Sequence, residues 1–286
     1  MKIDDIKTIG VCGAGTMGSG IAQVCAQSGY FVILFDISDT TVQNGLKQID
    51  KNLSTAVSKQ KISEEEKAQV LHRIRITSTI QEVKAELIIE AILENKEVKQ
   101  KLFNQLHEVN GASALFATNT SSIPISSISE DVPFPGRIAG MHFFNPPFLM
   151  KLVEVIRSEQ TSEETAACIY DLCLRLGKYP VRAKDRPGFI VNRIGKMYHT
   201  EPIRIVEDGI ADIRAVDELL EACGFRMGPF KLIDLIGVDA NLNVTKSLYA
   251  LMDHAPQFAP SELQQKLVDD GRLGKKTGKG FYDYPA

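Results

Sequence analysis

Several things are scarce in this chain, and each scarcity excludes a class of protein. The five cysteines, Cys12, Cys25, Cys168, Cys173 and Cys223, are odd in number and include no C-x-x-C pair. Neither a disulfide framework nor a zinc site is indicated, and the thiols read as small core residues. There is no basic excess: Lys+Arg 33 against Asp+Glu 36 give a formal net charge of -3, without the positive field that nucleic-acid binding requires. No apolar stretch approaches the roughly 18 residues of a membrane span. The opening MKIDDIK carries acids where a secretory leader carries bases and an apolar run. The expectation is a cytoplasmic protein with no nucleic-acid or membrane partner and no metal. Repeats and low-complexity tracts are missing too. With 286 residues, 44% hydrophobic and 24% charged, the chain can bury a large core and is long enough for two domains.

Short apolar runs at 7–12 (KTIGVC) and 31–35 (FVILF) flank a helical pattern carried by Met17, Ile21, Val24 and Cys25. Strand, glycine turn, helix and strand follow in that order. A long polar helical tract spans about 40–59, and Ser63-Glu64-Glu65-Glu66 reads as a capping box before another helix. Strands are expected at 74–77, 86–91 and 115–118, with a helix at about 96–109. Apolar strands separated by helices imply a parallel sheet covered on both faces. Strand-like runs continue at 138–143, 152–156 and 179–183, with a helix begun by the box Thr161-Ser162-Glu163-Glu164 before the last. Pro187 and Gly188 then give a turn signal, beyond which the pattern is mostly helical. The expected fold is α/β, a Rossmann-type dinucleotide-binding domain over 1–187 followed by a mainly α-helical domain over 188–286.

Between the first strand and the first helix lies G-x-G-x-x-G, formed by Gly13, Gly15 and Gly18. Gly13 lets the chain turn, Gly15 lets the backbone approach a pyrophosphate, and Gly18 lets the helix lie against the strand. The helix N-terminus adds unpaired N–H groups and a positive dipole end. Asp36, 23 residues beyond Gly13 at the end of the second strand, suits the acid that accepts hydrogen bonds from the adenosine ribose. A carboxylate there repels a 2'-phosphate, so NAD is favoured over NADP. The plainer reading makes Asp36 the N-terminal cap of the next helix.

Of five histidines only His142 follows an apolar β run, in IAGMHFFNPP, where an open sheet places ligands beyond its strand ends. His72, His107 and His254 are expected to be solvated surface residues. Twelve residues after His142 stands Glu154, an acid in the apolar run KLVEVI. A buried carboxylate needs a partner, and a histidine on a neighbouring strand is a natural one. Such a pair fixes the imidazole tautomer and raises its basicity, as a general base for a hydroxyl proton requires. The alternative, a satisfied core histidine and an unrelated acid, stays open at this level. The tail GKKTGKG lacks the phosphate-loop spacing and a following helix.

GAGTMGSGIAQ, EAILENKEVK, TNTSSIPI, GMHFFNPP, MKLVEVI, DRPGFIVNR, MGPF, DLIGVD and GKKTGKGFY occur in one order along the chain from about Ile6 to Tyr284. In that order and spacing the sequence resembles the L-3-hydroxyacyl-CoA dehydrogenase family, in its bacterial 3-hydroxybutyryl-CoA form. The resemblance implies hydride transfer between NAD(H) and the 3-carbon of a short-chain acyl-CoA thioester, interconverting (S)-3-hydroxybutyryl-CoA and acetoacetyl-CoA. It implies His142 as acid/base, Glu154 as its orienting partner, and Ser121 and Asn192 as residues that position the substrate. The implied cofactor site comprises Gly13, Gly15, Thr16, Met17, Gly18, Asp36, Glu94, Lys99, Asn145 and Lys276. Lys59 matches a position that contacts CoA, and Asn52 stands where some relatives carry a serine for the same purpose. A homodimer formed through the helical domain is also implied.

On chemistry alone, Ser121 and Ser122 read as turn residues, Asn192 as a helix cap, and Glu94 with Lys99 as an exposed helical pair. Pro202, where the family often has alanine, is expected to remove one backbone donor and kink its helix. Two other readings remain: a sugar-acid dehydrogenase, as in lambda-crystallin relatives, and a non-catalytic dinucleotide-binding protein.

Overall fold

Eight apolar segments of four to six residues form one sheet: β1 (Thr8–Cys12), β2 (Phe31–Phe35), β3 (Ile74–Thr77), β4 (Leu87–Glu90), β5 (Leu115–Thr118), β6 (Ile138–Phe143), β7 (Leu152–Arg157) and β8 (Tyr179–Lys184). The computed structural model describes residues 1–284. The last two residues of the helical domain expected over 188–286 lie outside the described residues. The spatial order is β3-β2-β1-β4-β5-β6-β7-β8. Every neighbouring pair is parallel except β6 with β7, which run antiparallel.

The chain divides into two units, Met1–Arg186 and Pro187–Ala286. In the first, the sheet is interleaved with α1 (Thr16–Gln27), α2 (Asp39–Ser58), α3 (Glu64–His72), α4 (Lys96–Asn110), α5 (Ile125–Ser129) and α6 (Glu163–Arg175). Caps set where several of these begin. Ser38 accepts from Thr41 N, Asn95 from Val98 N, and Ser63 with Glu66 closes a complete capping box, each worth about 1 kcal/mol. The box expected from Thr161 does not form, and the cap of α6 sits one residue later. Ser162 caps α6 by accepting from Thr165 N, and the Thr161 hydroxyl instead donates to the Ile138 carbonyl at 2.6 Å. Core residues include Ile9, Val11, Leu87, Ile89, Leu115 and Val153, all within 2% of complete burial, each contributing roughly 2 kcal/mol by leaving water.

The second unit contains α7 (Val191–Glu207), α8 (Ile213–Ala222), α9 (Pro229–Ile236), α10 (Val238–Leu251) and α11 (Glu262–Asp269). Its core joins Ile203, Val216, Phe230, Ile233, Val238 and Phe281. Pro202, the residue expected to kink its helix, lies inside α7, which continues through it to Glu207. Two buried acids act as joints. Asp217 accepts from Phe230 N, Lys231 N and the Tyr282 hydroxyl, and Asp234 accepts from Phe281 N, Tyr282 N and the Tyr284 hydroxyl. A side chain at Gly228 would run into Asp217, and one at Gly274 or Gly280 into Asp234. Close approach therefore requires Gly228 of MGPF and the first and last glycines of GKKTGKGFY, and Gly278 between them has φ +72°, which accounts for these glycines without a phosphate. Among the described residues no helix is long and apolar enough to cross a membrane, and no group of His, Cys, Asp and Glu is arranged to hold a metal ion.

Candidate active site

The glycine turn is held from two sides. Gly13 has φ +101°, and a side chain there would strike the Ala91 backbone, while one at Gly18 would strike the Gly13 carbonyl. Gly15 differs, because a Cβ added to it meets no protein atom within 4 Å. The fold needs glycine at 13 and 18, whereas bareness at 15 serves something that approaches the backbone there. Asp36 Oδ2 accepts from Ala14 N at 2.9 Å and Oδ1 from Ser38 N at 3.2 Å. Ser38, not Asp36, is the cap of α2, so the plainer reading of Asp36 falls away. Thr16 and Met17 open α1. This turn fits a dinucleotide: an acid locked beside a bare loop at a helix N-terminus.

At the end of β4 a buried charge network supports the next turn. Glu90 accepts from Ile92 N at 2.7 Å, from the Thr118 hydroxyl at 2.6 Å and from Lys99 Nζ at 2.5 Å. Lys99, only 1% exposed, also lies 3.2 Å from Glu94. It is therefore not the exposed helical partner that chemistry alone suggested. Glu94 Oε1 collects the Thr120 hydroxyl at 2.6 Å and the N–H groups of Ser121 and Ser122 at 3.0 and 3.1 Å. Burial alone would raise the Glu94 carboxyl, but Lys99 and these donors outweigh it and hold it below the usual carboxylate range. Ser121 and Ser122 thus belong to a turn built on an ionised acid.

The buried histidine–acid pair comes from the antiparallel step between β6 and β7. In β6 and β7 His142 lies directly opposite Glu154, so both side chains stand on the same face at cross-strand contact distance. His142 Nδ1 is 2.7 Å from Glu154 Oε2, with both residues buried. The carboxylate accepts, so Nδ1 carries the proton and Nε2 the lone pair of the neutral ring. Two residues earlier Gly140 faces Ile156, where a Cβ would stand 2.8 Å from that side chain. Asn119 Oδ1 accepts from Phe143 N at 2.8 Å, and the Phe144 ring lies 4.6 Å from the imidazole. Asn145 is exposed beyond the strand end. Lys59 is exposed beyond α2, and Asn52 is engaged by Gln48 at 2.8 Å and Gln23 at 3.1 Å. In the second unit Asn192 occupies the second position of α7, whose cap is Ile190, so it is not a cap. Lys276 pairs with Asp239 at 2.6 Å.

The 3-hydroxyacyl-CoA dehydrogenase NAD-binding domain matches residues 8–186, and the C-terminal domain of the same family matches 188–284. The chain belongs to the 3-hydroxyacyl-CoA dehydrogenase family. It is 43% identical over 284 residues to the 3-hydroxyadipyl-CoA dehydrogenase of Escherichia coli, covering 99% of this chain and 60% of that protein. It thus spans 60% of the length of that relative. To the mitochondrial hydroxyacyl-coenzyme A dehydrogenase of Sus scrofa it is 39% identical over 288 residues, covering 98% of this chain and 91% of that one. The crystal structure of (S)-3-hydroxybutyryl-CoA dehydrogenase from Ralstonia eutropha superposes with a TM-score of 0.94 at 40% identity, covering 98% and 100% of the two chains. The Rossmann-like first unit is the family's NAD-binding domain, and a helical unit follows it.

Some residues depart from the sequence reading. His107 is buried, its ring 4.1 Å from that of Phe116, and burial lowers its basicity. It shares the covered face of α4 with Phe103 and Leu106. His72 and His254 are exposed as expected. Cys223 is exposed, whereas the other four thiols are buried. Glu90 escaped notice although it carries the signal that marked Glu154, an acid in an apolar run. Buried Lys196 and His199 in α7 were missed because polar neighbours such as Arg193 and Glu201 mask the buried face.

Proposed function

We propose that the chain interconverts (S)-3-hydroxybutyryl-CoA, and short-chain L-3-hydroxyacyl-CoA thioesters generally, with acetoacetyl-CoA and its 3-ketoacyl counterparts. It is an NAD-dependent 3-hydroxyacyl-CoA dehydrogenase. The observation that carries the assignment of roles is the buried His142–Glu154 contact of 2.7 Å beside the cofactor turn's own strand system. In oxidation His142 Nε2 takes the 3-hydroxyl proton as the C3–H bond breaks and the carbonyl forms; in reduction it returns that proton to the 3-oxygen. Bound NAD accepts the hydride from C3, and NADH supplies it in reverse. Glu154 stabilises the imidazolium and keeps the ring in the productive tautomer. Ser121, held by Glu94, orients the 3-oxygen, and Asn192 the thioester. Lys59 and Asn52 meet the CoA moiety.

In the cofactor site, Gly13, Gly15, Thr16, Met17 and Gly18 receive the pyrophosphate and Asp36 the adenosine ribose. Glu94, Lys99, Asn145 and Lys276 complete it, Lys99 acting through Glu94. We place the protein in the cytoplasm as a homodimer formed by the helical unit. The test is loss of reduced-nicotinamide absorbance with acetoacetyl-CoA, run with NADH and NADPH. Rapid loss with NADH is expected, falling 10³-fold or more, in order of magnitude, in His142→Ala while NADH affinity stays within a few-fold. Near-parental turnover in that variant would remove His142 from its role, and preference for NADPH would overturn the assignment of Asp36.

A further inference from the structure

Asn192, Gly195, Lys196 and His199 follow one another at i, i+3, i+4 and i+7, forming one stripe along α7. The stripe descends from half-buried Asn192, past Gly195, where an added Cβ meets no atom within 4 Å, to Lys196 and His199, which are 4% and 9% exposed. Lys196 Nζ donates to the Asn241 carbonyl at 2.9 Å and to the Thr245 hydroxyl at 2.8 Å. It forms no ion pair with a carboxylate among the described residues.

The hydrogen bonds around it fix every orientation. Gln264 Nε2 donates to the Val238 carbonyl and to Asn241 Oδ1, both at 3.1 Å. Asn241 Oδ1 is thus the acceptor, and its amide N–H donates to His199 Nδ1 at 2.8 Å. The neutral imidazole then carries its proton on Nε2, which is buried with no hydrogen-bond partner among the described residues. An ammonium held only by neutral acceptors and an imidazole N–H with no acceptor among the described residues are thus buried three residues apart on one stripe of α7, an arrangement that costs stability unless a carboxylate joins them. Burial holds the Lys196 ammonium down to about 7. Burial, and then the neighbouring Lys196 charge, holds His199 down to about 3.

The structure assigns this pair as a receptor for a carboxylate carried at the far end of the substrate's acyl chain, so that Lys196 selects ω-carboxyacyl-CoA thioesters. The assignment rests on the proposed function, in which Asn192 orients the thioester end. One helical turn, about 6 Å, separates residues at i and i+4, a span that a few methylenes cover. A neutral chain of equal length offers the two donors no acceptor, whereas a carboxylate satisfies both. The four-carbon acetoacetyl chain ends in a methyl group and offers the pair no acceptor.

The test compares three thioesters with NADH: acetoacetyl-CoA, 3-oxohexanoyl-CoA, and 3-oxoadipyl-CoA, which matches the hexanoyl chain in length but ends in a carboxylate. The parent enzyme is expected to prefer the adipyl over the hexanoyl thioester by kcat/KM. Lys196→Met is expected to lose on the order of 100-fold on the adipyl thioester, mainly through KM. Its acetoacetyl-CoA turnover should stay within a few-fold, and Lys196→Arg should restore most of the preference. Equal kcat/KM for the two six-carbon thioesters in the parent, or equal losses on all three in Lys196→Met, overturns the receptor and leaves the dehydrogenase reading standing. No turnover of any of the three overturns both.

Discussion

A buried cation without a carboxylate is a liability that depends on pH, and the sign follows from proton counts. The Lys196 pKa falls from 10.5 to about 7 on folding, so between those values the unfolded chain binds the extra proton. Stability therefore rises as pH climbs from about 7 toward 10.5, and below 7 the full penalty applies. For His199 the window is the other one. Its pKa drops from 6.5 to about 3, so stability is lost as pH falls from about 6.5 toward 3. Urea unfolding between pH 4 and 10 should show both slopes, on the order of 3 kcal/mol across each window. Lys196→Met should flatten the alkaline slope and raise stability near neutrality, and His199→Leu the acid one. Parental slopes in both variants would mean that these groups do not titrate as placed.

At the level of elements, the three glycines of one turn separate by function. Gly15→Ala should leave thermal stability within about 1 kcal/mol of the parent, because its Cβ meets no protein atom, yet raise the Kd for NADH at least tenfold. Gly18→Ala should cost roughly 2–4 kcal/mol, since its Cβ runs into the Gly13 carbonyl. Calorimetry with NADH fluorescence titration checks both, and parental NADH binding in Gly15→Ala would refute the division. The strands of the sheet were legible at almost every position, since their apolar runs are bounded by turns and caps; β3, β5 and β6 begin and end where expected. The antiparallel turn of β7 was not, because direction leaves no trace in an apolar run. Of the site, the glycine turn and the His142–Glu154 pair could be read from spacing and from an acid among apolar residues. The Glu90–Lys99–Glu94 network could not, because Lys99 sits in a helix whose surrounding sequence is polar, and only the fold turns that residue inward.

Both units carry exposed large apolar residues, and the second has several of them. Ile210, Leu219, Phe225, Leu235 and Ile236 are each 48% exposed or more, more than scattered surface residues require. A homodimer that covers part of this surface should show by light scattering a mass about twice the 31.6 kDa of the chain. Leu219→Glu combined with Phe225→Glu should shift it toward the monomer. A monomeric parent at micromolar concentration would exclude the dimer.

The antiparallel step between β6 and β7 also makes one buried contact local in sequence while another stays long-range. His142 and Glu154 meet by closing a segment of 12 residues, whereas Gly13 reaches Ala91 only by closing 78. The shorter closure forfeits roughly 1.5 kcal/mol less chain entropy. The His142–Glu154 contact is thus a local, hairpin-like object, whereas the glycine turn rests on a long-range closure.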